Sequence, residues 1–343
     1  MTRIFLLLLL ALAWLLPAPA IFAQETTNAP VAQDGAELWN AVREREGAEA
    51  GITRSQVKGV DSTELINAEG EAWREFRMDN LLPAAGIFLG LLLVGIVAFR
   101  LIRGKIPIQA GPTEKKIKRF TVFQRYVHWI TAILFVLLSL TGVFLMFGRY
   151  LIMPIFGSSA GGSLMYLLKQ LHNITGPLFA LALVVLTVTF FKGNLFKMPT
   201  DWQWVKKGGG LLGDHAPSGR YNAGEKGWYW LAVVFGVVVV ISGLVLNFAN
   251  FGQSRETMIT YHMLHSITAV FIMGVSMGHI YMGTIAMQGA LEPMVTGYAD
   301  ANWAKEHHDE WYEQAVKDGD VLTADEVERD KQQATNAKQA TQS

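Results

Sequence analysis

Five long apolar runs dominate this sequence, and each is long enough to cross a lipid bilayer. They lie near residues 81–99, 126–148, 167–191, 228–248 and 259–287. An α-helix rises about 1.5 Å per residue, so roughly 20 apolar residues span the hydrocarbon layer. The pattern therefore predicts an all-α polytopic membrane protein.

The N-terminal sequence is typical of a secretory signal. MTRIFLLLLLALAWLLPAPAIFAQE has a short basic start, an apolar stretch, and small residues before Gln24. Cleavage after Ala20 or Ala23 would remove it, so we expect a signal peptide over residues 1–23. The alternative is an uncleaved anchor, which would leave the following segment on the same side of the membrane.

The distribution of Lys and Arg predicts the topology. Residues 100–119 carry seven Lys or Arg and one acid, and residues 192–226 carry six Lys or Arg. The positive-inside rule places both segments in the cytoplasm of a multi-pass protein in the bacterial inner (plasma) membrane. The other segments follow by alternation, with a periplasmic N-terminal segment and a cytoplasmic C-terminal tail.

These boundaries predict six regions along the chain. They are a signal peptide (1–23), a periplasmic segment (24–80), an additional transmembrane helix (81–103), a cytoplasmic linker (104–120), a four-helix domain (121–290) and a cytoplasmic tail (291–343). The tail is polar from about residue 331, which predicts that its end is disordered.

The absence of cysteine limits the redox chemistry of this chain. With no Cys, the sequence has no disulfide, no cysteine-ligated iron-sulfur cluster and no CxxCH attachment site for c-type haem. Any redox cofactor must therefore be held by other side chains.

Histidines are the notable polar residues of the apolar runs. His128 and His279 lie near the cytoplasmic ends of their spans, whereas His172 and His265 lie near the periplasmic ends. On the last helix, His265 and His279 fall within about 40° of one face and roughly 21 Å apart. An ionisable group in a membrane indicates function by default, and the depths predict two pairs. His262 points about 60° away from His265, so it is either a further ligand or lies at the outer interface, near a cofactor's edge or at a subunit contact.

Paired imidazoles inside lipid favour haem b as their ligand. A neutral imidazole binds zinc, copper, nickel or iron, but the apolar runs contain no Asp, Glu or Cys to balance a bare divalent ion. Porphyrin balances most of the iron charge and leaves two axial positions for His. Arg125 lies three residues before His128, where it could pair with a propionate or act as an interfacial anchor. A histidine-lined metal transporter is the alternative of a different class.

Several motifs together resemble a known family, the gamma subunit of membrane-bound formate dehydrogenase, which is a dihaem cytochrome b. The resemblance covers about residues 118–316 and rests on RYVHW (125–129), LHNITG (171–176), YNAGEK (221–226), LHSITA (264–269), GHIYM (278–282) and WAKEHHDEWY (303–312). It implies a four-helix dihaem cytochrome b core, to which the helix at 81–103 is an N-terminal addition. A cytochrome b of a hydrogenase or another periplasmic reductase is the nearest alternative.

The resemblance also implies cofactors, site residues and partners. His128 and His279 would hold the iron of the inner haem b, and His172 and His265 that of the outer one. A quinone site beside the inner haem would use Asn222, Gly224 and His279, although Asn and Gly are also ordinary turn residues.

The implied partners are an iron-sulfur beta subunit and a molybdenum or tungsten alpha subunit at the periplasmic face, and no nucleic acid. Electrons would pass from these subunits through the haems to quinone. Formate oxidation itself would not occur in this chain, so we expect it to contain no catalytic residues.

Overall fold

The computed structural model describes residues 68–210, 216–249 and 251–340. Within these ranges, five helices are long and apolar enough to cross a membrane, at Gly70–Arg103, Val122–Leu151, Met153–Asn194, Ala223–Asn247 and Arg255–Ala286. The all-α polytopic class is therefore confirmed. The predicted signal peptide and most of the predicted segment 24–80 lie outside the described residues.

Eleven α-helices and three short strands make up the described part of the chain. In order they are α1 Ala68–Glu75, α2 Leu82–Arg103, β1 Lys116–Lys118, α3 Val122–Leu151, α4 Met153–Phe190, α5 Met198–Lys206, α6 Ala223–Asn247, α7 Arg255–Tyr281, α8 Glu292–Thr296, β2 Tyr298–Asp300, α9 Ala301–His307, α10 Asp309–Asp318, β3 Val321–Leu322 and α11 Ala324–Ala340. A π-helical segment, Phe76–Leu81, joins α1 to α2, so this apolar helix starts before the predicted residue 81.

Helices α3 and α6 begin at the same end of the bundle, and each starts with a capping box. The Thr121 hydroxyl accepts from the backbone of Gln124, whose side chain accepts from the backbone of Thr121. Asn222 and Glu225 make the same reciprocal bonds at the start of α6. These bonds satisfy N–H groups that a helix start leaves unpaired. We call this end of the bundle, where α4 and α7 finish, the capped end.

The four helices α3, α4, α6 and α7 form the core bundle, and α2 packs on the outside of α7. Gly274 permits that contact, because a Cβ there would lie 2.5 Å from the Phe88 ring and 2.6 Å from Leu92 Cδ1. Small residues allow such close helix approach in membranes. Apolar side chains on the outer surfaces, such as Leu91 and Leu181, are exposed, as a lipid-facing surface requires.

A small folded layer covers the capped end, and we call residues 104–120 and 287–340 the cap layer. Its sheet has the order β2-β1-β3, antiparallel, with Ile117 opposite Ala299 on one side and Val321 on the other. Ile117 is 1% exposed and belongs to an apolar cluster with Ile108, Ala299, Ala301, Trp303, Ala304 and Ala315. Residues 104–120, predicted as a linker, are therefore part of a packed structure.

The structure differs from the sequence prediction at the tail. Disorder was predicted from about residue 331, but α11 continues to Ala340. The sequence of α11 is rich in Ala, Gln, Lys and Glu and contains neither Gly nor Pro, so its helix propensity is high. Val327 anchors the helix, since this side chain is buried against the rest of the cap layer.

We predict that Asp300→Ala destabilises the cap layer. The Asp300 carboxylate accepts hydrogen bonds from the backbone N–H groups of Asn302, Trp303 and Thr113. Removing it leaves buried donors unpaired, at about 1–3 kcal/mol. Limited proteolysis of the detergent-solubilised protein should then cut residues 301–340 faster. Glu313→Ala, at an exposed position, is the matched control, and equal protease resistance of the two variants would contradict the prediction.

Candidate functional site

Four histidine rings face one another in two pairs inside the bundle. The rings of His128 on α3 and His279 on α7 have centroids 6.4 Å apart, with 63° between their planes. The rings of His172 on α4 and His265 on α7 are 6.2 Å apart, at 81°. The first pair lies near the capped end and the second towards the opposite end. His262 joins neither pair, since its ring lies 6.0 Å from that of Trp73.

The spacing of both pairs suits two imidazoles that bind one metal from opposite sides. A metal–nitrogen bond is about 2.0 Å, which places the centroids of two opposed rings roughly 6.3 Å apart. Both observed separations agree with this value. The spacing of each pair therefore fits two imidazoles that would hold one metal ion.

The His265 ring is oriented by hydrogen bonds at its Nδ1 atom. This nitrogen lies 3.1 Å from the Val239 carbonyl oxygen and 3.1 Å from the Ser242 hydroxyl. A carbonyl only accepts, so Nδ1 carries the proton and donates it. The lone pair is then on Nε2, which is the state that a metal ligand requires.

His172 is held in the same way by Thr141. The Thr141 hydroxyl donates to the Leu137 carbonyl at 2.9 Å, so its oxygen is free to accept from His172 Nδ1, which is 2.8 Å away. This arrangement favours the His172 tautomer with the proton on Nδ1 and the lone pair on Nε2. Both Nδ1 atoms of this pair thus have a hydroxyl partner.

Two glycines let these rings lie against bare backbone. A Cβ on Gly142 would lie 3.6 Å from His172 Cε1, and one on Gly243 would lie 3.0 Å from His265 Cε1. Each glycine directly follows the hydroxyl residue that binds the same ring. A residue with a side chain at position 243 would crowd the His265 ring, so a glycine is required for this close contact.

The pair near the capped end has different surroundings. His128 Nδ1 is buried and has no hydrogen-bond partner within the described ranges. The Trp228 ring stacks on His279, with centroids 4.7 Å apart and 15° between the planes. Arg125 donates through Nη1 to the Val295 carbonyl, while its buried Nε has no partner in the part of the chain described. An anionic group of a ligand would satisfy that nitrogen.

Asn222 and Gly224 both have structural roles at the start of α6. Asn222 Oδ1 accepts from the Glu225 N–H at 2.9 Å and so caps the helix. A Cβ on Gly224 would lie 2.8 Å from the Trp204 ring, so that ring packs against the bare backbone. These contacts explain why Asn and Gly occur at these positions even if no ligand binds there. In the sequence, the two residues lie six and four positions before Trp228.

A buried arginine connects the cap layer to α6, and sequence reasoning did not find it. Arg119 is 3% exposed, donates to the Arg220 carbonyl at 2.8 Å, and forms an ion pair with Glu225 at 3.0 Å. Its guanidinium lies over the rings of Phe120, Tyr221, Trp303 and Trp311. The motif WAKEHHDEWY supplies two of these rings, Trp303 and Trp311. It was the only feature used in the sequence analysis that pointed to this arginine site.

These features define a class of protein. A bundle of apolar helices that encloses two facing pairs of imidazoles has the architecture of a membrane cytochrome of the b type. The residues present fit haem b, because the ring spacing, the Nδ1 bonds and the glycines at both rings of one pair suit axial ligation of iron.

Residues 119–297 match the family described as prokaryotic cytochrome b561, and the chain belongs to that family. It is 30% identical to the formate dehydrogenase cytochrome b556(fdo) subunit of Escherichia coli over 206 residues, which cover 59% of this chain and 94% of the relative. It is 26% identical to the formate dehydrogenase cytochrome b556 subunit of Haemophilus influenzae over 210 residues, or 59% of this chain and 85% of the relative.

Family membership implies haem b and electron transfer in a membrane. With the five apolar helices, it makes the chain a multi-pass protein of the inner membrane.

We predict that acid destabilises the cap layer through His308. Burial lowers the pKa of His308 to about 3, and Arg119 contributes in the same direction, while Glu225 opposes it. The ring is neutral in the fold: Nδ1 donates to the Gly219 carbonyl at 2.8 Å, and Nε2 faces the Arg119 guanidinium. The unfolded chain takes up this proton near pH 6.5, so stability is complete above that pH and declines as the pH falls towards 3.

His308→Asn tests this prediction, because the amide can still donate to the Gly219 carbonyl but does not titrate. Protease resistance of residues 301–340, measured from pH 8 to pH 4, should fall less steeply in the variant than in the wild type. Parallel pH profiles would show that His308 is not the responsible group.

Proposed function

We propose that this chain is the cytochrome b subunit of a membrane-bound formate dehydrogenase and carries electrons across the membrane to quinone. The observation that carries the proposal is the presence of two facing histidine pairs on one bundle, at 6.4 and 6.2 Å. Their members on α7 are 14 residues apart, or roughly 21 Å along the helix. Similarity to named formate dehydrogenase cytochrome b subunits supports the particular complex.

In this proposal each histidine pair binds one haem b. His128 and His279 would hold the haem near the capped end, and His172 and His265 would hold the one near the opposite end. Arg125, through its unpaired Nε, holds a propionate of the first haem. The haems supply one-electron redox chemistry when bound, while the protein fixes their ligation, spacing and burial.

We place the capped end in the cytoplasm. The support is the positive-inside rule, since residues 100–119 and 192–226 hold thirteen Lys or Arg and both segments lie at that end. The tail is then cytoplasmic, and residues 24–80 follow the signal peptide into the periplasm. His172 and His265 lie on the periplasmic side, where an iron-sulfur beta subunit and a molybdenum or tungsten alpha subunit deliver electrons.

We place quinone reduction beside His279, with Asn222 and Gly224 contributing to the site. The capping role of Asn222 occupies its Oδ1 but leaves the amide NH2 available to a quinone oxygen. Protons for the reduction come from the cytoplasm, so inward electron movement and proton uptake both build membrane potential.

Two other functions make different demands. A cytochrome b of a hydrogenase or another reductase would share the bundle, and co-purification of a formate-oxidising subunit separates that case from ours. A metal transporter would need sites for bare ions. Across residues 68–210, 216–249 and 251–340, no group of three or more His, Cys, Asp or Glu could hold a metal ion.

We predict that the purified wild-type complex shows two b haems and that single histidine variants remove them one at a time. His128→Ala or His279→Ala should abolish the haem near the capped end, because a single imidazole in lipid does not replace bis-histidine ligation. His172→Ala or His265→Ala should abolish the other. Reduced-minus-oxidised absorption spectra and haem content per chain are the measurements.

His262→Ala is the matched control for these variants, since His262 shares α7 with two proposed ligands but joins neither ring pair. It should retain both haems, and the haem remaining in each ligand variant reports that the bundle is folded. Loss of haem in His262→Ala together with retention in His265→Ala would reverse the assignment, and a colourless wild-type complex would refute the function.

We predict that Asn222→Ser slows quinone reduction without preventing haem reduction by formate. Serine keeps an oxygen that caps α6 but lacks the amide NH2. Loss of one neutral hydrogen bond corresponds to roughly a fivefold effect on the rate. Stopped-flow haem reduction and steady-state quinone reduction are the two measurements.

Thr121→Ser controls for a conservative change of a capping residue, at the start of α3. It should leave both rates unchanged. If Asn222→Ser behaves like Thr121→Ser, then Asn222 only caps its helix and the quinone lies elsewhere.

A further inference from the structure

The two histidine pairs differ in how their Nδ1 atoms are bound. In the pair His172–His265, each Nδ1 has a hydroxyl partner, from Thr141 and Ser242 respectively. In the other pair, His128 Nδ1 is buried without a partner in the described residues, and His279 is contacted by the Trp228 ring. This asymmetry lies in the protein itself.

The hydroxyl contacts follow one geometry on two different helices. Thr141 on α3 donates to the carbonyls three and four residues earlier, those of Leu138 and Leu137, and its oxygen lies 2.8 Å from His172 Nδ1. Ser242 on α6 repeats this arrangement, donating to Val238 while the Val239 carbonyl faces His265. Each Nδ1 thus lies against a hydroxyl that also bonds its own helix, and His265 Nδ1 bonds a carbonyl of the same helical turn as well.

Such hydrogen bonds act on a metal through its ligand. A donated Nδ1–H bond draws the proton away from the ring and raises the basicity of Nε2. A more basic axial ligand stabilises ferric over ferrous iron, and hydrogen bonding around the ligands is one of the ways in which a protein sets a haem's potential. Where both ligands are so bound, the reduction potential is lowered.

The charges near the other pair are largely offset. Arg125 lies three residues before His128, and in the proposed function its charge is balanced by the propionate that it would hold. Glu225 is in the first turn of α6, and Arg119 forms an ion pair with it at 3.0 Å. The hydroxyl contacts at Nδ1 of His172 and His265 are therefore the main difference between the two pairs.

We propose that Thr141 and Ser242 are positioning residues that hold His172 and His265 as strong donors and give that pair a lower reduction potential than the pair His128–His279. This inference rests on the proposed function, in which both pairs bind haem. It adds which of the two haems has the lower reduction potential. Electrons that enter at the end opposite the cap layer then move to higher potential as they approach the capped end, where quinone is reduced.

Potentiometric titration of the whole complex tests the inference, with each haem assigned from the single-histidine variants. Thr141→Val keeps the side-chain shape but removes the hydroxyl, and Ser242→Ala does the same on α6. Each should raise the midpoint potential of the haem held by His172 and His265 and leave the other unchanged. In the double variant we expect roughly a tenfold change in the ratio of reduced to oxidised haem, or about 59 mV for one electron.

Two further variants separate tuning from packing. Thr141→Ser keeps the hydroxyl and should keep the wild-type potential. Thr187→Val removes a hydroxyl that bonds the Leu183 carbonyl of its own helix, and it should leave that haem's potential unchanged. If Thr141→Val loses its haem, the inference is still tested by the potential of the Ser242→Ala variant and by the order of the two potentials in the wild-type complex.

Two results would overturn the inference while leaving the proposed function intact. One is a wild-type complex in which the haem of His172 and His265 has the higher potential. The other is a double variant with two haems at unshifted potentials. Absence of haem from the wild-type complex would instead refute the proposed function itself, so the two failures are distinguishable.

Discussion

The bundle depends on how an imidazole ring is satisfied inside lipid. A neutral ring has one donor and one acceptor, and a membrane offers partners for neither. At His265 the donor is satisfied by the Val239 carbonyl and the Ser242 hydroxyl, which leaves the lone pair on Nε2, and the centroid of the His172 ring lies 6.2 Å from that of His265. A metal held by both rings would satisfy both acceptors at once. The positions of α3, α4, α6 and α7 follow from this requirement, because each must present a histidine or the group that holds one.

The end of the bundle opposite the cap layer has an internal similarity that the capped end lacks. Thr141-Gly142 on α3 receives the ring of His172 from α4, and Ser242-Gly243 on α6 receives the ring of His265 from α7. The segments LHNIT and LHSIT, which contain these histidines, match in the same way. At the capped end, the rings come from the start of α3 and the end of α7, and no hydroxyl among the described residues is hydrogen-bonded to either ring. One pair is therefore nearly symmetric and the other is not, as expected if the two perform different steps.

Sequence reasoning reached the helices and the ring pairs because both depend on rules that hold along one continuous helix. Hydropathy defines the length of each membrane-spanning helix. The 14-residue separation of His265 and His279 defines the helix face that they share and their distance along the helix. The cap layer depends on distant pairing instead: three-residue β1 meets β2 more than 180 residues later, and such short strands leave almost no periodic signal. The hydroxyl partners were missed for another reason. A Thr or Ser in an apolar helix usually bonds its own backbone, as Thr141 also does, and only coordinates show the ring at its second lone pair.

The cap layer also constrains the chemistry proposed at the capped end. Arg119 precedes α3 and binds Glu225 in the first turn of α6, and Lys226 beside it forms a buried ion pair with Asp201 of α5 at 2.8 Å. Breaking a buried pair leaves an uncompensated charge, so the first turn of α6 is strongly fixed in place. Trp228, two residues after Lys226, stacks on His279. The cap layer thus supports Trp228 against His279, a proposed haem ligand, and supports the proposed quinone contacts beside it. None of the cap layer's own residues belongs to a histidine pair.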